Sequence, residues 1–143
     1  MNASIHDITQ TRPKIYLAGP MSGIRDFNFP VFFDAADFLE QQGFEVFNPA
    51  QADLDKWGDL DGVARHANYR DCLKTDLTWI CDNAVGIALL PGWEWSKGSL
   101  AEKALAEALG IDIFYLQYAS GGRWYYDIVA QHTPEFYEET HQT

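Results

Sequence analysis

Cysteine is scarce in this chain: Cys72 and Cys81 are the only two in 143 residues. That excludes a disulfide framework and a cysteine zinc cluster, and it makes a reducing, cytoplasmic compartment the expectation. Basic residues are also few. Ten Lys and Arg face 21 Asp and Glu, for a net charge of −11. Nucleic-acid polymers are held by many Lys/Arg contacts to phosphate, so none is expected as a partner. A small phosphorylated ligand remains possible, because a helix N-terminus with one or two local cations holds a single phosphate. No apolar run approaches the ~20 residues that span a membrane. Met1 to Arg12 lacks the basic start and apolar core of a signal peptide. His6, His66, His132 and His141 show no metal-ligand spacing. There is no Gly-x-Ser-x-Gly elbow and no Walker turn. Gly19-Pro20-Met21-Ser22-Gly23 lacks the three spaced glycines of the dinucleotide fingerprint. Neither a metal nor an organic cofactor is expected.

What is present is a packed globule: 47% of residues are apolar, enough for one core at this length. Lys14-Ile15-Tyr16-Leu17-Ala18 reads as a first strand, ended by Gly19-Pro20. Phe32, Ala35, Ala36 and Leu39 recur at helical spacing, and Gly43 closes that helix. Phe44 to Phe47 reads as a second strand. Residues 51–62 read as a long loop or a broken helix. Tyr69 to Cys81 reads as helix, with Leu73, Leu77 and Ile80 on one face. Ala84 to Leu90 is a third strand, Leu100 to Leu109 a helix closed by Gly110, and Ile111 to Leu116 a fourth strand. Strand and helix alternate throughout. That pattern predicts a single-domain α/β sandwich of three layers, Rossmann-like or flavodoxin-like, with a mainly parallel sheet of four to five strands. Residues 1–13 read as a loose polar lead-in and 14–118 as the α/β domain. Residues 119–143 read as an aromatic extension of that domain, forming a last helix, a partner contact or a lid.

Ligands in such sheets bind at the carboxyl ends of strands. The segment Ser96-Lys97-Gly98-Ser99-Leu100-Ala101-Glu102 follows one of them. A Ser/Gly turn opening a helix suits an anion, and a glutamate beside it suits attack on carbon. The plainer reading of Ser99-x-x-Glu102 is a capping box. A second consideration is that Glu102 borders the apolar stripe Leu100, Ala101, Ala104, Leu105, Ala108 and Leu109, where it would be partly buried. Ser96 and Gly98 suit a phosphate, or equally an N-cap and turn. Asp76 is a candidate acid or a solvated helix charge. Tyr16 is a candidate site residue or simple sheet packing. Arg25 is a nearby cation or a surface charge. Phe27, Phe29, Trp93 and Trp95 flank the rim loops and would stack on a base or fill the core.

Taken together, Lys14-Ile15-Tyr16-Leu17-Ala18-Gly19-Pro20, Asp76-Leu77-x-Trp79 and Ser96-x-Gly98-x-x-x-Glu102 resemble the nucleoside 2-deoxyribosyltransferase superfamily. The likeness is nearest to its 2′-deoxynucleoside 5′-phosphate N-hydrolase branch and to related phage and bacterial proteins. The resemblance implies that Glu102 is the nucleophile, that Tyr16 orients it, and that Asp76 contacts the sugar or assists protonation of the base. It implies that Ser96, Gly98 and the loop with Gly19, Gly23 and Arg25 hold the 5′-phosphate. It also implies a nucleotide substrate and a homodimer or higher homo-oligomer. Three features depart from the family: Glu102-Lys103-Ala104 where Glu-Leu-Gly is common, the insert Trp93-Glu94-Trp95, and Pro91-Gly92 where transferases carry an acid. Hydrolysis of a (deoxy)nucleoside 5′-monophosphate is the leading expectation. Base exchange, a non-catalytic nucleotide-binding module, or an interaction protein using the aromatic tail are the alternatives. The mechanism expected requires Glu102 ionised at neutral pH, favoured by the helix N-terminus.

Overall fold

A computed structural model describes residues 12–58 and 62–130. Five strands form one sheet: β1 (Lys14–Ala18), β2 (Glu45–Phe47), β3 (Gly86–Leu89), β4 (Asp112–Ala119) and β5 (Arg123–Val129). Their order is β2-β1-β3-β4-β5. The first four are parallel, and β5 runs antiparallel to β4. Five α-helices flank them: α1 (Phe29–Gln41), α2 (Pro49–Trp57), α3 (Val63–Ala67), α4 (Tyr69–Asn83) and α5 (Lys97–Leu109). This is the three-layer α/β architecture that the alternating pattern predicts.

Strand alternation divides the core into two halves. Ile15, Leu17, Ala88, Leu90, Phe114 and Leu116 pack towards α1, against Phe32, Ala35 and Leu39. Tyr16, Ala18, Ile87, Leu89 and Ile113 face the other way, against Ile80 of α4 and Ala106 of α5. β3 is buried at all four positions, as a central parallel strand covered on both faces must be. From β1 the chain steps outward to β2, then crosses to β3 and β4 on the other side. The crevice beyond the carboxyl ends of β1 and β3 is therefore the switch point of the sheet.

Several local readings change. Over the described residues 51–58 the chain is helical up to Trp57: Asn48 caps α2 through Oδ1, which accepts from Ala50 N at 3.0 Å, and Gly58 ends it at φ 66°. The lead-in is tethered at its end, with Arg12 donating to the Glu40 carbonyl and Glu45 N–H to the Pro13 carbonyl. The aromatic extension is neither helix nor lid over 123–129. Gly121 and Gly122, at φ 101° and 79°, turn the chain back so that Trp124, Tyr125 and Tyr126 lie in β5. Trp124 and Tyr126 pack on the α1 side, as β-prone aromatics do on a half-covered sheet. Phe136 and Tyr137 lie outside the described residues. Among the described residues, no helix is long and apolar enough to cross a membrane.

Candidate active site

Three elements converge under the switch point. β1 aims Tyr16 at the α4 and α5 side. On α4 the deepest line is Cys72, Asp76 and Ile80, one residue per turn. On α5 the buried line is Ser99, Glu102 and Ala106. Tyr16, Asp76 and Glu102 are thereby 1%, 3% and 4% exposed. The Tyr16 hydroxyl donates to Glu102 Oε2 at 2.8 Å.

The capping box does not form. Ser96 is the N-cap of α5, its Oγ accepting from Ser99 N at 3.1 Å, which frees Glu102 for Tyr16. The expected stripe on α5 is also displaced. Leu100, Ala104, Ala108 and Leu109 face outward, because the inner face of the helix carries two polar side chains instead. Asp76 is no solvated charge either. Arg65 of α3 donates through Nη2 to Asp76 Oδ2 at 2.7 Å, and through Nη1 to both Asp53 oxygens at 3.0 and 3.1 Å. One guanidinium thus ties α2, α3 and α4 together.

A cavity of about 530 Å³ opens here. Of the residues the sequence singled out, Tyr16, Gly19, Ser96, Gly98 and Glu102 line it. A Cβ on Gly19 would meet the Leu90 side chain at 2.7 Å, so this position is glycine for packing as well. Gly23 and Arg25 lie in the exposed loop and are not on the wall. Asp76 is not on the wall either; Arg65 stands there, together with His66, Tyr69 and Ser99, none of which the sequence reading singled out. Arg65 and His66 fall in a short helix without apolar periodicity, and ion pairing across 11 and 12 residues leaves no periodic trace. Ser99 had a signal, one turn before Glu102 on the same face, but it read as a cap. Of the four aromatics, Phe27 and Trp95 line the cavity. Phe29 opens α1 and is buried in the core, and Trp93 packs on Tyr115 with ring centroids 5.9 Å apart.

Phe27 sits in a left-handed run, Asp26, Phe27 and Asn28 at φ 53°, 55° and 62°. Such backbone is strained for non-glycine residues and collects at functional sites. Asn28 Nδ2 holds the run by donating to the Pro20 carbonyl at 2.8 Å. The Phe27 ring lies directly against Gly62, where any Cβ would collide with it.

Burial pushes the Glu102 carboxyl up to about 8, and the Asp76 carboxylate adds to the rise, against the pull of the Tyr16 hydroxyl and Arg65. Burial thus opposes the ionised Glu102 that the expected mechanism requires at neutrality. Glu102 lies in the second turn of α5, and the helix dipole fades beyond the first. Burial also raises Asp76, despite the opposing Arg65. Burial alone would lower Arg65, but Asp76 and Asp53 outweigh it and hold the guanidinium charged. Burial, then Glu102 and Asp76, keep Tyr16 a phenol.

A carboxyl group held by a phenol at the floor of a cavity, with a capped helix start at its mouth, is equipped for displacement at an electrophilic carbon. Among the described residues, no group of three or more His, Cys, Asp or Glu is placed to hold a metal ion. A comparison with curated proteins finds no match. A family model described as Domain of unknown function (DUF4406) matches residues 13–115, spanning β1 to β4 and every residue of the cluster. The chain belongs to the DUF4406 family.

Proposed function

We propose that this protein is an N-glycosidase that cleaves the base–sugar bond of a (deoxy)nucleoside 5′-phosphate, in the manner of the deoxyribosyltransferase-like hydrolases. The observation that carries the reading is the buried Tyr16–Glu102 hydrogen bond beneath the N-terminus of α5. Cleavage passes through an oxocarbenium-like sugar. The Glu102 carboxylate stabilises that cation at C1′ and traps it as an ester, which water then hydrolyses. Tyr16 fixes the carboxylate so that its free oxygen faces the cavity. Asp76 acts through Arg65, holding it in the wall, and is a positioning residue. His66 is the wall group suited to give the departing base its proton. The two free cysteines, Cys72 and Cys81, accord with a cytoplasmic setting.

Chromatography of the protein incubated with a panel of nucleoside and deoxynucleoside 5′-monophosphates tests this. Free base and sugar phosphate are expected from at least one. A new nucleoside on adding a second base would make the protein a transferase. No free base from any member would leave a nucleotide-binding module.

The phosphate end is tested separately. Ser96 Oγ already accepts the Ser99 N–H, which leaves its proton for a phosphate oxygen, beside the first-turn N–H groups of Lys97 and Gly98. A hydrogen bond to a charged group contributes about 1.5–3 kcal/mol. Ser96→Ala should therefore lower kcat/KM for monophosphates at least ~10-fold more than for unphosphorylated nucleosides. Equal losses would make Ser96 a helix cap alone, worth ~1 kcal/mol.

A further inference from the structure

Trp95 is 88% exposed, the most exposed large apolar side chain among the described residues, and it lines the cavity mouth. Tryptophan is highly buried on average, so this placement calls for a partner. Its place along the cavity is fixed by α5. Along this end of α5 exposure rises from 4% at Glu102 and 1% at Ser99 to 88% at Trp95, so the carboxyl marks the floor of the cavity and the indole its mouth. Trp95 lies one residue before Ser96, on the side of the anion position away from Glu102.

Two observations mark the stretch between them as ligand-bearing. Ser99 is 1% exposed and lines the cavity, yet its Oγ has no hydrogen-bond partner among the described residues. A buried hydroxyl without a partner is costly, and this one belongs to a residue in the cavity wall. The Tyr69 hydroxyl lies at 3.2 Å from where a Cβ on Gly98 would stand, so a second aromatic residue borders the helix start. Aromatic side chains therefore flank this anion position on both sides: Phe27 against Gly62 on the β1 side, Tyr69 and Trp95 on the α5 side.

We infer that the cavity takes a dinucleotide, a nucleoside 5′-phosphate joined through its phosphate to a second nucleoside 5′-phosphate, with the second base lying on Trp95. The inference rests on the N-glycosidase reading and narrows its substrate class. The chemistry is unchanged. The C1′–N bond breaks and the base leaves with the electron pair; adenine takes a proton, whereas nicotinamide leaves neutral as it is, and water supplies the hydroxyl to C1′ and gives up its other proton. The bridging diphosphate stays intact, so the second nucleoside leaves attached to the sugar phosphate. A polymer is disfavoured by the net charge of −11, and Lys97 at the mouth supplies one cation for a bridging diphosphate.

Calorimetric titration with matched probes tests this without needing turnover. The pairs are nicotinamide mononucleotide with nicotinamide adenine dinucleotide, and AMP with diadenosine diphosphate. Wild type should bind at least one dinucleotide about 10-fold more tightly than its mononucleotide, the worth of one base–aromatic stack. Trp95→Ala should erase that ratio and Trp95→Phe should keep most of it. Trp95 is exposed, so the variants should keep the fold, and circular dichroism checks this. Equal binding of both members of each pair by wild type, or a ratio unchanged in Trp95→Ala, overturns the inference. So does a change in sedimentation on Trp95→Ala with the ratio intact, which would make Trp95 a contact between copies. Base release is assayed in the same samples. A Trp95-dependent ratio without base release would sink the glycosidase reading while upholding the dinucleotide site.

Discussion

Glu102→Gln should abolish base release, by on the order of 10³-fold or more in kcat, while making the protein more stable at pH 8. Both effects have one source. The carboxyl proposed to attack C1′ is held where burial disfavours its charged form. Its pKa is raised from an ordinary 4.5 to about 8 in the folded chain. Below pH ~4.5 both folded and unfolded chains hold the proton, and Glu102 costs nothing. As pH rises from there to about 8, the unfolded chain has released the proton and the folded chain has not, so stability falls. The full cost, reached above pH 8, is of the order of a few kcal/mol. Glutamine keeps an oxygen for the Tyr16 hydroxyl and never ionises. Melting curves of both proteins at pH 5 and pH 8 check this: the gain in Tm should be larger at pH 8. An equal gain at both pH values would show that Glu102 ionises as freely in the folded chain as in water. Wild-type kcat/KM should also rise with pH as one group deprotonates near 8. Turnover retained by the glutamine variant would remove Glu102 as the nucleophile.

Arg65→Met should lower stability by about 3–5 kcal/mol, the cost of leaving buried charge without its counterion. The side chains of Arg65, Asp53 and Asp76 are only 11%, 8% and 4% exposed, so solvent cannot replace the guanidinium. At this chain length that corresponds to a fall in Tm of about 10–20 °C. Adding Asp76→Asn should return part of the loss, because the amide leaves one fewer buried charge unpaired. No recovery in the double variant would mean that Arg65 supports the fold through packing of its stem. A small loss in the single variant would mean that water reaches the carboxylates.

Much of the frame was legible in advance. Apolar runs at Lys14–Ala18 and Ala84–Leu90, with helical periodicity at Phe32–Leu39, place β1, β3 and α1 because burial on both faces leaves a simple signal. The pair at the heart of the site was legible in part. Their places at a helix start and a strand end made Glu102 and Tyr16 candidates, their roles came from the resemblance, and residue spacing alone favoured a cap for Glu102. The cap went elsewhere because Ser96, three residues earlier, reaches the same N–H. Arg65 was invisible because its partners are carboxylates on two other helices, and only the folded chain places them together. Over 123–129 the tail forms a strand where a helix or lid was expected, because aromatics suit a strand, a helix face and a contact surface alike. What decided it was the Gly121–Gly122 turn, which fixes a hairpin.

Tyr16 and Glu102 are 86 residues apart in sequence. Their hydrogen bond closes only after β1 and β3 have paired and α5 has docked across them, a chain of non-local steps of the kind that slows folding. Helices α1 and α4 can be present while the floor of the cavity is still open. Recovery of activity during refolding should therefore lag behind recovery of helical signal, so that the cavity floor acts as a clock for the last step of assembly.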